Sequence, residues 1–401
     1  MTRPRIAFVV QRAGDEVNGG AEYLCLAVAR AMASIWDVDI ITTCARDYDT
    51  WADFYPPGAQ HVDGVTIRRF PVDRPRATAQ HDRMNRRLLE HGASATTAEQ
   101  EAWMKSQGPY STPMLRYIRD NAATYERFFF YTYLYATTYF GLPLVAEKAV
   151  LVPFAHDEWP IHLPFYDVFF ERPQAFVFST PEERAFLQRR FPGTTLAGPT
   201  IGLGIATPEG ARGERFRHRV GIERPYLLYV GRIDAGKGCL RLIETFARYR
   251  EYYADDLALV LIGRAVVAIP DVPGVFAVGF VDEATKFDAL AGAVALVQPS
   301  AMESLSIVLL EAWSVGRPVL VSAESDVLVG QTRRANGGLW YGDDTEFGVA
   351  LRLLNTPLGP QLGECGRAFV DENYRWPLIV EQYEALRVEL NAREAPAGAS
   401  R

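Results

Sequence analysis

Tyr226-Leu-Leu-Tyr-Val-Gly-Arg-Ile-Asp-Ala-Gly-Lys-Gly238 sets an apolar run against a glycine-rich turn, and a helical pattern opens behind it at Leu240. A short apolar run that ends in turn residues and leads into a helix is half of a βαβ unit. The same order recurs along the chain. In the first half the strand-like runs are Ile6–Val10, Val38–Thr42, Val65–Phe70, Phe128–Tyr133, Ala149–Phe154, Ala175–Ser179 and Thr195–Gly198. In the second they are Tyr226–Val230, Ala258–Ile262, Val275–Val278, Val294–Gln298, Pro318–Val321 and Gly338–Tyr341. Apolar runs alternating with helix-compatible stretches predict mostly parallel sheets in the α/β class. The chain has 401 residues, and single cores stop growing at roughly 250–300, so two sheets in two domains are expected.

The boundary falls in Thr207-Pro-Glu-Gly-Ala-Arg-Gly-Glu-Arg-Phe-Arg-His-Arg219, which is rich in Gly, Pro and charge and reads as an exposed connection. The expected division is residues 1–207, 208–376, and a closing segment 377–401. That segment holds an amphipathic helix over Leu378–Leu390, opened by Pro377 in its first turn, and a frayed tail over Ala392–Arg401. Between Arg74 and Arg119 the βα rhythm breaks into a polar, helix-leaning insertion that carries Arg83, Arg86 and Arg87.

Composition narrows the function. Hydrophobic residues at 48% and charged residues at 23% are those of a globular chain, not a disordered one. Forty-two basic against 49 acidic residues leave a net charge of −7, the wrong sign for a nucleic-acid footprint. Cys25, Cys44, Cys239 and Cys365 have neither C-x-x-C nor metal-ligand spacing, so reduced thiols and a reducing compartment are expected. The run Ile6–Val10 follows Met-Thr-Arg-Pro-Arg with no apolar leader or cleavage site, and a cytoplasmic location is the expectation. The most apolar stretch, Phe128 to Val145, is broken by tyrosines, threonines and Gly141-Leu-Pro143, so it reads as strand plus loop rather than a membrane span.

Four constellations sit at strand ends. In the opening stretch, Gly231 to Gly238 nearly matches the phosphate loop G-x-x-x-x-G-K-[ST], but Gly238 stands where a hydroxyl must hold Mg²⁺. The other readings are a metal-free phosphate site, with Arg232 as a fork of donors and Lys237 as a point charge, or a plain βα turn with solvated charges. Only Lys105, Lys148, Lys237 and Lys286 are lysines in this arginine-preferring chain.

The second constellation runs from Val294 through Glu303-Ser-Leu-Ser-Ile307 to Glu311 and Gly316, where a strand, a loop and a helix beginning near Ser304 are expected. A carboxylate at Glu311, on an apolar helix, needs donors such as a sugar's vicinal hydroxyls or an ion-pair partner. Free N–H groups over Ser304, Leu305, Ser306 and Ile307 can face a phosphate, whereas Glu303 could simply cap the helix. In the third, Gly19-Gly20 opens a helix through Met32 without the dinucleotide spacing G-x-G-x-x-G. In the fourth, His156-Asp157-Glu158 follows a strand and is placed to donate to a substrate hydroxyl. His162 completes no metal site, and Asp37-Val38-Asp39 lies in a strand rather than a metal-binding loop.

In this order, Gly19-Gly20, His156-Asp157, Gly231-Arg232 with Lys237-Gly238, and Glu303 with Glu311 resemble glycosyltransferase family 4 over nearly the whole chain. The family has Gly and Phe-Gly after its first glutamate, where this chain has Ser304-Leu305-Ser306. The resemblance implies the GT-B fold, two Rossmann-like parallel-sheet domains facing across a cleft that closes about a hinge near residue 210. It implies retaining transfer of a hexose from a UDP- or GDP-linked sugar to a hydroxyl, with no metal and no cofactor besides the donor. Arg232 and Lys237 would neutralise the departing diphosphate, and the Ser304 to Ile307 amides would meet phosphate. Glu311 would hold the ribose, Glu303 and His156 would contact the sugar, and Gly19, Gly20 and Gly231 would allow close approach. The acceptor is left open between a sugar, a small molecule and a lipid-linked group at a membrane surface. Rival readings are an inverting transferase, an epimerase, a phosphorylase, a non-catalytic sugar-nucleotide binder and, last, a P-loop phosphotransferase.

Overall fold

A computed structural model of the chain describes residues 3–17 and 19–394. It divides into two compact units, residues 1–203 with 379–401, and residues 204–378. Of the tail expected to fray over Ala392–Arg401, residues 392–394 instead continue the closing helix, with Glu394 held by Arg127, and the rest lies outside the described residues.

The first unit is built on seven strands: β1 (Arg5–Val9), β2 (Asp37–Thr43), β3 (Gly58–Val62), β4 (Val65–Phe70), β5 (Arg127–Tyr131), β6 (Ala149–Val152) and β7 (Ala175–Phe176). Their order is β3-β4-β2-β1-β5-β6-β7, parallel throughout except for the β3–β4 pair. β3 was not foreseen; it is an exposed edge hairpin strand, Gly-Ala-Gln-His-Val, without an apolar face to signal it. Three strands are shorter than their apolar runs. β5 stops before Thr132, whose φ is +61°, and β6 stops at Pro153, which has no N–H to donate. β7 ends at Phe176, although the Val177 N–H still donates to the Leu151 carbonyl and Phe178 pairs with Thr200; the Ser179 N–H then donates to the Glu183 carboxylate. Thr195–Gly198 forms no strand.

β5 is buried along its whole length and packs on both faces. Phe128 and Phe130 join the core under the insertion, which folds as helices Thr78–His91, Thr97–Gln107 and Thr112–Asp120. Phe129 faces the other way and stacks on Phe8 at 5.4 Å. The closing helix, Trp376–Glu394, covers this second face, with Tyr383 5.7 Å from Phe129. It is pinned there by polar contacts: Trp36 Nε1 donates to Glu384 at 2.6 Å, and the buried Arg127 meets Glu394 at 2.5 Å and Asn391 at 2.6 Å.

The second unit has six parallel strands: β8 (Tyr226–Val230), β9 (Ala258–Ile262), β10 (Val275–Gly279), β11 (Ala295–Gln298), β12 (Val319–Ser322) and β13 (Gly338–Tyr341). Their order is β10-β9-β8-β11-β12-β13, so β8 and β11 are neighbours at the centre. Part of the expected connection is structured: Gly213–Val220 is a helix. Phe216 is buried against Tyr226, and Arg215 pairs with Asp288 at 2.6 Å, so one aromatic and one ion pair convert a polar stretch into a packed element. Among the described residues no helix is long and apolar enough to cross a membrane. Cys25, Cys44 and Cys239 are buried free thiols and Cys365 is an exposed one.

Candidate active site

The carboxyl ends of β8 and β11 lie side by side and feed the two loops that hold most of the second unit's candidates. After β8, the Tyr229 hydroxyl donates to the Arg232 carbonyl at 2.8 Å and buried Ile233 anchors the middle of the loop. Asp234 organises the rest. One of its oxygens accepts the Lys237 N–H at 2.7 Å and the other takes the Arg232 Nε. This is a capping-type contact from an aspartate side chain to the N–H three residues on, a signal present in the sequence as Asp three residues before Lys237. Gly231 has φ +153° and Gly238 φ +73°. A Cβ on Gly238 would sit 2.7 Å from the Pro299 carbonyl oxygen of the neighbouring loop. The serine or threonine of a P-loop therefore does not fit here, which gives a steric reason for the departure from that motif.

That close approach brings the second loop within reach of the first. Lys237 Nζ lies 2.7 Å from Glu303 Oε1, pairing a partly exposed ammonium with a mostly buried carboxylate. Arg232 remains more than half exposed. The helix following Glu303 begins at Ile307 rather than near Ser304, because Ser304 to Ser306 continue as loop. Within that loop the Ser306 N–H donates to Gln331 Oε1 at 3.1 Å, so this amide, expected to face a ligand, is engaged by the protein itself. Beside it, Ser306 Oγ and Gln331 Nε2 are buried without a hydrogen-bond partner.

Glu311 lies in the second turn of helix Ile307–Ser314, a buried carboxylate among Leu309, Leu310, Ala312 and Trp313. Its partner is Lys286, with Nζ 2.7 Å from Oε1. Burial pushes the Glu311 pKa up, and the Lys286 charge opposes that shift. Lys286 was counted in the sequence as a rare lysine but given no role, since nothing local links it to Glu311. Each glutamate of the E-x7-E pair is thus bound to one of the chain's four lysines.

In the first unit the candidates are Gly19, Gly20 and His156. Gly19 has φ −175°, an extended conformation open to any residue. Its lack of a side chain serves Glu22, whose Oε2 lies 2.1 Å from where a Cβ would stand. Glu22 in turn makes a buried ion pair with Arg12 at 2.5 Å. Gly20, the first residue of helix Gly20–Met32, has nothing within 4 Å of a Cβ position and keeps open space in front of it. His156 follows β6. Its Nε2 is 3.6 Å from Glu158 Oε1 and its Nδ1 is buried without a partner. The adjoining backbone is held by Glu183, which accepts the Ala155 N–H at 2.7 Å and the Ser179 N–H at 2.6 Å. Burial pushes Glu183 up to about 8 against those N–H groups. Among the described residues no group of three or more His, Cys, Asp or Glu side chains could hold a metal ion.

Residues 224–354 match the model of the family Glycosyl transferases group 1. The matched segment contains β8 through β13 and with them the Lys237–Glu303 and Lys286–Glu311 pairs. Solved structures resemble the whole chain. Sucrose-phosphate synthase from Thermosynechococcus elongatus superposes with a TM-score of 0.72 at 19% identity, covering 98% of this chain and 100% of that one. HepE from Anabaena, in complex with UDP and glucose, gives 0.66 at 13% identity, covering 96% and 100%. Trehalose 6-phosphate synthase from Burkholderia multivorans gives 0.64 at 14%, covering 98% and 100%. The fold is GT-B. No curated protein matches the sequence.

Proposed function

We propose that the chain is a retaining glycosyltransferase of family 4 that moves a hexose from a UDP- or GDP-linked sugar to a hydroxyl acceptor, acting in the cytoplasm without a metal. The observation that carries this reading is the joining of two strand-end loops by the Lys237–Glu303 pair. It sets a phosphate-type cation beside a carboxylate that can accept sugar hydroxyls. Lys237 and Arg232 are assigned to the diphosphate leaving group, where fixed positive charge lowers the barrier as negative charge develops. Glu303 is assigned to the transferred sugar and Glu311 to the ribose. Gly231 and the loop Ser304, Leu305 and Ser306 with Ile307 border the phosphates, the Ser306 amide becoming available only if Gln331 releases it. His156, through its unpartnered Nδ1, is assigned a hydrogen bond to a sugar hydroxyl, and Gly20, more than Gly19, has space for a ligand. The names of the similar structures, which include complexes with UDP and UDP-glucose, support a nucleotide sugar as donor.

Thermal-shift and calorimetric binding of UDP, GDP, ADP and their glucose or mannose forms, with and without EDTA, tests the reading. A stabilising shift with one diphosphate that survives EDTA is expected, because a ligand that binds the folded state raises stability by mass action. Lys237→Ala and Glu311→Ala are each expected to reduce donor turnover about 100-fold or more in folded protein. Wild-type rates in both would remove the proposed site, and a shift with Mg²⁺-ATP alone would replace the transferase by a phosphotransferase.

A further inference from the structure

The ion pair at Glu311 carries an inference that rests on the nucleotide-sugar reading and extends it to a residue outside the E-x7-E motif. Glu311 is almost wholly removed from water, on a helix that otherwise presents Leu, Ala and Trp to the core. A carboxylate there favours its neutral form unless a cation holds its charge. The charges that act on it both come from helix Glu283–Gly292: Lys286, which favours ionisation, and Glu283, which opposes it. Lys286 is itself largely buried, and its ammonium bridges Glu311 Oε1 at 2.7 Å and Glu283 Oε1 at 2.9 Å. The more exposed Glu283 steers the ammonium from the same helix, three residues away.

We propose that Lys286 is a positioning residue of the nucleotide site: it holds Glu311 ionised and ties down Oε1, so that the carboxylate meets a ribose diol in one fixed orientation. A neutral carboxyl group would present one proton and a weaker acceptor where the diol needs two acceptor positions. Lys286 does not touch the ligand in this account. A structural pair that only fastened two helices would affect stability and leave nucleotide affinity and its pH dependence unchanged.

The test measures the dissociation constants of UDP, GDP and ADP by calorimetry from pH 6 to 9. It compares the wild type with Lys286→Arg, Lys286→Met, Glu311→Gln and the Lys286→Met/Glu311→Gln double variant. With the nucleotide that the wild type binds, Lys286→Met is expected to weaken affinity about tenfold at pH 7. The loss shrinks as pH rises, because removal of the cation lifts the Glu311 pKa and higher pH restores the carboxylate. Lys286→Arg keeps affinity within about threefold, and the double variant is no weaker than Glu311→Gln alone, since both changes remove one interaction. Lys286→Met binding as tightly as the wild type, or losses that add in the double variant, would overturn the inference while leaving the transferase reading intact. A wild type that binds no nucleotide overturns that reading, and this inference with it. Circular dichroism of each variant separates misfolding from lost affinity, and the arginine variant reports on the pair even if the methionine variant does not fold.

Discussion

The turn after β1, which runs to Gly19-Gly20, and the turn after β8, which runs from Gly231 to Gly238, share an outline. Each leaves a buried central strand, carries an arginine and glycines, and enters a helix. Their charges are handled in opposite ways. After β1, Arg12 is buried against Glu22, and Gly19 exists to make room for that glutamate. After β8, the glycine makes room for a neighbouring loop, and the cations stay partly exposed, with Arg232 tied to Asp234 and Lys237 to Glu303. The first turn is closed by its own ion pair; the second offers its charge outward. At Gly19 and Gly238 the missing side chain marks a close approach of the protein itself, whereas Gly20 has open space, so only the neighbouring atoms say what a glycine between a strand and a helix is for.

The largest test of this contrast is Glu22→Ala. It removes the carboxylate that pairs with the buried Arg12 guanidinium and is expected to cost about 3–5 kcal/mol of stability in the first unit, measured by denaturant unfolding. A cost near zero would mean that the first turn is as open as the second. Gly238→Ser, which restores the P-loop residue, places a Cβ 2.7 Å from the Pro299 oxygen at a φ of +73°. It is expected to destabilise the second unit by about 2 kcal/mol and to confer no Mg²⁺-dependent ATP hydrolysis; a stable variant would remove the close-approach argument. Gly20→Ala is the smallest change. Nothing lies near its Cβ position, so stability should rise by up to about 1 kcal/mol, while turnover falls if a ligand occupies that space. Unchanged turnover would leave the second turn as the one that meets ligand.

Much of the fold was readable because its signals are local. Tyr226–Val230, Ala258–Ile262, Gly338–Tyr341 and Val65–Phe70 are strands over those residues, since apolar runs bounded by turn residues encode buried parallel strands directly. The failures have local explanations too: β3 has no apolar face, and Phe216 anchors a helix in a stretch whose other residues suggested an open linker. For the site, the sequence singled out Gly231, Arg232, Lys237, Glu303 and Glu311, and in the structure Lys237 and Glu303 meet. It did not single out Asp234, Glu22, Glu183 or Lys286 for a role.

By itself the sequence determined the α/β class, the two parallel sheets and the positions of the charged groups at strand ends. These follow from periodicity over a few residues and from the chemistry of single side chains. The tertiary structure decided which charge neutralises which. Lys237 and Glu303 are 66 residues apart and Lys286 and Glu311 are 25 apart. Such pairs form only when parallel strands and their helices bring distant segments together, and burial then makes each pairing matter energetically. No pattern along the chain records that proximity.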